Sequence, residues 1–77
     1  MENIIREAID HKQQRLLRRP DVLYRCGISN STLHRLINAG NFPAPIQLGP
    51  RAVAWVESEI NEWIEQRIEA SRAGEEV

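Results

Sequence analysis

Two glycine stops and a pair of prolines constrain this 77-residue chain more tightly than anything in its composition. Pro20 suits the first position of a helix, where a missing N–H costs nothing, and Gly27 suits the left-handed stop of the same helix. Val22, Leu23 and Cys26 share one face between them. Ser29 stands where a hydroxyl caps a second helix, with Thr32 at its third position. Ile28 and Leu33 have the spacing of a hydrophobic staple. Leu33, Leu36 and Ile37 make the apolar stripe, and Gly40 ends the helix. Phe42-Pro43-Ala44-Pro45 then excludes further helix, because each proline drives its predecessor into an extended conformation. What is left is two short helices joined by a Gly-Ile-Ser turn, the outline of a helix-turn-helix.

The second half completes that outline. Ile46 and Leu48 alternate, Gly49-Pro50 turns the chain, and Val53 and Trp55 alternate again, which predicts a β-hairpin with Gln47 and Arg51 near its tip. Ser58 begins a last helix whose Ile60, Trp63, Ile64 and Ile68 recur at helical spacing. The expectation is a mainly α domain with a small β-hairpin wing: a winged helix-turn-helix of three core helices over residues 15–70. Arg15 to Arg19 form an extended lead-in. Residues 1–14 are an N-terminal extension, either a short amphipathic helix carrying Ile4, Ile5, Ala8 and Ile9 or a flexible arm, and the tail 71–77 is expected to fray.

A net charge of −1 argues against an anionic partner until its distribution is read. Residues 11–51 hold seven Lys and Arg against Asp21 alone, while residues 1–10 and 52–77 are both acidic. A basic centre between acidic ends points the centre towards an anion. On the second helix Ser31, His34, Arg35 and Asn38 cluster opposite the apolar stripe, with no acidic residue among them. Arg35 can pair bidentately with guanine, Ser31 and Thr32 suit phosphate at a helix start, and His34 suits either base or backbone. Arg18, Arg19 and Arg25 suit phosphate contact, or pairing with the glutamates of the last helix. Asn38 suits the nucleic-acid backbone or water.

Other chemistry finds no support. The longest apolar run, Ala52–Val56, is far from the roughly 20 residues that span a bilayer. One cysteine, Cys26, makes no internal disulfide, fits a reducing cytoplasm, and reads as a buried thiol. His11 and His34 stand without further metal ligands around them, so neither a metal nor a cofactor is expected. Nothing places a nucleophile beside a base, so the chain does not read as an enzyme. Trp55 and Trp63 alternate or stripe with aliphatic neighbours, which assigns them to the core rather than to base stacking.

Four stretches in fixed order, Arg15–Val22, Gly27–Ile37, Phe42–Trp55 and Glu57–Ile64, resemble the AlpA-family prophage regulators over about residues 15–70. The resemblance implies a small DNA binder with a MerR-like winged fold, encoded by a prophage or mobile element. It implies transcriptional control of an integrase, or an excisionase-like architectural role. By that resemblance the second helix enters the major groove with Ser31, Thr32, His34 and Arg35, and the hairpin with Gln47 and Arg51 is the wing. Arg18, Arg19, Arg25, Asn30 and Asn38 then become phosphate contacts. Basic residues common in the family stand where this chain has Asn30 and Ala54, so fewer phosphate contacts are expected here. Implied partners are double-stranded DNA, a further copy of the chain in weak dimers or on repeated sites, and a phage integrase. The implied setting is the bacterial cytoplasm, on the nucleoid when bound. The competing reading is a protein–protein adaptor or inhibitor that uses the acidic last helix.

Overall fold

The computed structural model describes residues 14–76, so the amphipathic stripe of the N-terminal extension lies outside the described residues. Six elements follow in order: β1 (Leu16–Leu17), α1 (Arg19–Cys26), α2 (Asn30–Asn38), β2 (Ile46–Gly49), β3 (Ala52–Val56) and α3 (Glu57–Glu76). The architecture is a winged helix-turn-helix.

Both glycine stops act as their sequence implies. Gly27 has φ 67° and Gly40 φ 76°, backbone that a side chain would strain. At α2 the last turn closes through Asn41 N–H to Leu36 O at 2.9 Å and Gly40 N–H to Ile37 O at 3.0 Å, the paired bonds of a Schellman motif. Ser29 caps α2, its Oγ accepting from the Thr32 N–H at 3.2 Å. Pro20 is the second residue of α1, one position later than its sequence suggests, because Arg19 already has helical geometry.

The extended lead-in is more than a lead-in. Leu16 and Leu17 pair antiparallel with Val56 and Trp55, which makes β3 the centre of a three-stranded sheet in the order β1-β3-β2. Only the hairpin was legible in the sequence; the third strand is too short for alternation to reveal it. The two hairpin strands meet through Ile46–Ala54 and Gln47–Val53, and a bulge at Leu48 precedes the Pro50-Arg51 loop.

β3 passes into α3 without a loop. The first residue of α3 is Glu57, not Ser58, and its N–H donates to Arg15 O at 2.7 Å, satisfying one free donor of the helix start. The Ser58 hydroxyl donates to Gln14 at 2.9 Å. α3 runs on to Glu76, past the residue at which the tail was expected to begin. Its last turns are rich in Ala, Arg and Glu and contain no proline, so only Gly74 opposes helix. The apolar stripe is shorter than its spacing suggests: Ile60 is buried, Trp63 and Ile64 are half-buried, and Ile68 is exposed where α3 outruns the domain.

The core joins Leu17, Val22, Leu33, Phe42, Trp55 and Ile60, at least one from almost every element. Trp55 is 1% exposed and its Nε1–H donates to Pro43 O at 3.1 Å. Trp63 donates to Asn41 O at 2.8 Å and meets the Phe42 ring edge-on, centroids 4.8 Å apart. Both indoles therefore pin the proline-rich segment, and the stacking alternative for Trp55 is excluded by its burial. Trp55→Ala should lower stability by about 3–5 kcal/mol, the range for losing a buried aromatic. Thermal melts followed by circular dichroism will show it as a chain largely unfolded at room temperature, since small domains have little more stability than that.

Candidate nucleic-acid interface

α2 turns Leu33 fully into the core and half-buries Leu36 and Ile37, so its other side faces water. That side carries Ser31, His34, Arg35 and Asn38, all exposed. Thr32 is different. It is half-buried, and its hydroxyl accepts from Ser29 Oγ at 3.0 Å and from Arg35 Nη2 at 3.2 Å. Ser29 Oγ also lies 3.3 Å from Ser31 Oγ. Thr32 thus holds Arg35 to the helix start, and the N-cap serine holds Thr32. The three-residue spacing of Thr32 and Arg35 was the available signal for this link. It places the guanidinium on the first two turns of α2, where base-reading side chains of a helix-turn-helix sit.

The arginines expected at phosphates separate into three surroundings. Arg18 Nε donates to Val53 O at 3.1 Å, extending the β1–β3 ladder beyond the end of β1. Arg19 donates to Asn30 Oδ1 at 3.2 Å while its guanidinium lies 5.7 Å from the Trp55 ring centre. That bond ties the first residue of α1 to the first residue of α2. Arg25 lies elsewhere. Its guanidinium pairs with Glu57 at 3.2 Å and also donates to Asn61, both on α3. Of the two roles open to Arg25, the structure shows the glutamate pair.

At the wing, Arg51 is exposed in the two-residue loop after Pro50. Gln47 is also exposed, but its amide folds back to donate to Gly49 O and braces the bulge. Arg51 therefore extends from the tip, whereas Gln47 is engaged with its own strand.

Burial pushes the Cys26 thiol up from its usual 9.0, and the Arg25 guanidinium offsets part of that rise. The group stays a thiol at neutral pH. Among the described residues, no three His, Cys, Asp or Glu side chains are grouped to hold a metal ion, and no helix is long and apolar enough to cross a membrane.

Two consequences can be measured. Ser29→Ala removes the cap and the support of Thr32, and should cost about 1 kcal/mol in chemical denaturation. The raised thiol value means that the folded chain binds its proton more tightly than the unfolded chain. This stabilisation is complete below pH about 9 and disappears as pH rises through the folded value. Melting temperature should accordingly fall more steeply with alkaline pH in the natural chain than in Cys26→Ala.

The family described as "Prophage CP4-57 regulatory protein (AlpA)" matches residues 15–68. Over 65 residues the chain is 43% identical to "Uncharacterized protein ORF88" of Enterobacteria phage P4, covering 84% of this chain and 74% of that protein. Over 59 residues it is 36% identical to "DNA-binding transcriptional activator AlpA" of Escherichia coli (strain K12), covering 69% of this chain and 84% of that protein.

Proposed function

Because the chain belongs to the AlpA family of prophage regulatory proteins, we propose that it binds duplex DNA and regulates transcription within a prophage or mobile element. The observation that carries this reading is the exposed side of α2: Ser31, His34, Arg35 and Asn38 without a carboxylate, on a helix whose opposite side is locked into the core. An α-helix fits the major groove of B-form DNA, and Arg35 is the side chain there able to read guanine O6 and N7 together. Ser31 and His34 precede it on the same exposed side, and Thr32 acts by holding Arg35.

Phosphates are met by Arg19 and Asn30, whose side chains are held together by their own hydrogen bond. Arg18 joins them, and Asn38 reaches the backbone from the far end of α2. Arg51 at the wing tip contacts the neighbouring backbone. With Arg25 committed to Glu57 and Gln47 to its own strand, the charged footprint is small. A single winged module of this size buries roughly 600–1,000 Å² on DNA. Repeated sites, a weak dimer or an integrase partner supply the remaining affinity. The regulated gene is the element's integrase, or the protein shapes DNA for excision. Footprints over an integrase promoter support the first role and footprints over the element's attachment site support the second.

Fluorescence anisotropy across a salt series tests the reading with two variants. Arg35→Ala should reduce discrimination between cognate and scrambled duplexes by about 1–3 kcal/mol while changing folding stability little. Arg51→Ala should weaken binding to both duplexes alike and lower the salt slope by about one. A flat salt dependence with no preference among duplexes would overturn DNA binding in favour of a protein–protein adaptor.

A further inference from the structure

Two surfaces stand apart from the exposed side of α2. The first is a groove of about 900 Å³ between the Gly40–Ile46 segment and α3. Pro43, Pro45, Ile46 and Trp63 give it apolar walls, and Glu59 and Glu62 line its α3 side. Ile46 is 39% exposed, and the half-buried Trp63 ring has the Arg67 guanidinium 5.5 Å from its centre. Both prolines have a fixed φ, so this wall is formed before any partner arrives. The second surface is the outer side of α1. Tyr24 projects from it 88% exposed, beside Leu16 at 44%, with Arg15, Asp21 and Arg25 around them.

The charges of the two surfaces mirror one another. The groove holds two glutamates and one arginine, whereas Tyr24 is surrounded by two arginines and one aspartate. Their placement decides how they can meet. Arg25 is bonded to Glu57 and Asn61, which puts the Tyr24 surface on that side of α3. Glu59 and Gln66 of the groove lie about half a turn round the helix from Glu57, at roughly 3.6 residues per turn. Tyr24 therefore cannot reach the groove of its own chain. Two rigid copies related by a two-fold axis cannot bury both surfaces at once either, because the surfaces face opposite ways.

We propose that Tyr24 of one copy seats in the groove of the next, with Arg15 and Arg25 towards Glu59 and Glu62 and Asp21 towards Arg67. The occupant is a second copy because the chain itself presents an exposed ring whose surrounding charges complement those of the groove. Tyrosine is the kind of residue that anchors such contacts, burying a large ring at little cost in rotamer freedom. The contact is head to tail and open-ended, so it builds rows rather than closed pairs. Neither surface includes Ser31, His34, Arg35 or Asn38, and every α2 in a row stays open. On DNA, copies joined this way need sites repeated in one direction rather than inverted, a consequence that rests on the DNA-binding reading.

Sedimentation equilibrium of the full chain without DNA, at concentrations up to millimolar, tests the contact. Average mass should rise with concentration and pass that of a pair. Tyr24→Ala should weaken association about tenfold or more, the scale of loss at an interface anchor, with no change in melting temperature. Ala44→Lys with Glu62→Lys, both exposed in the groove, should weaken it from the other side. A mixture of the two variants keeps one intact contact, so it should associate again but stop at a pair. A natural chain that stays monomeric or levels off at a pair would overturn the proposal, as would a mixture that stays monomeric. Anisotropy on a long mixed-sequence duplex at low salt keeps the two readings separate. Chains that associate but do not bind the duplex would sink the DNA-binding reading alone, and chains that bind it but never associate would sink only the head-to-tail contact.

Discussion

Burial of the Trp55 indole is the interaction on which the remaining structure depends. It sits on the central strand, meets Leu17 of β1 across the ladder, and shares the core with Val22 of α1, Leu33 of α2 and Ile60 of α3. Its single polar atom is satisfied by Pro43 O, which holds the segment that links α2 to the wing. A domain of this size has few buried side chains among which to spread its stability. One large ring in contact with elements from both halves of the chain therefore couples helix-turn-helix and hairpin into one cooperative unit. The Arg19 guanidinium beside the same ring extends that coupling to Asn30, the first residue of α2.

The surface of α2 owes its order to local bonds as much as to packing. The chain Ser29–Thr32–Arg35 converts a helix cap into a support for a charged side chain. A guanidinium held before binding loses less freedom on contact, which favours selectivity over mere attraction. Global charge contributes little, since the chain is near neutral. What matters is that seven of its eleven acidic residues are on α3, where Glu57 engages Arg25, and none is on the exposed side of α2. The half-exposed ion pair adds at most about 1 kcal/mol. Its larger effect is to separate Arg25 from the other arginines.

Periodicity and turn chemistry by themselves determined α1, α2, the hairpin and α3, because each is specified by residues close in sequence: Pro20 and Gly27, Ser29 and Gly40, the Pro43–Pro45 pair, and the Ile60–Ile64 spacing. They also determined which side of α2 is open, since a helix that buries Leu33, Leu36 and Ile37 exposes Ser31, His34, Arg35 and Asn38. Tertiary structure alone decided the third strand, because two residues show no alternation until a partner strand supplies the ladder. It decided the end of the apolar stripe, because Ile68 has the right spacing but lies beyond the reach of the core. It also sorted three arginines that sequence could not tell apart: Arg18 to a strand carbonyl, Arg19 to Asn30, Arg25 to Glu57. Those partners lie 35, 11 and 32 residues away, and a long flexible side chain has no local preference that encodes so distant a choice.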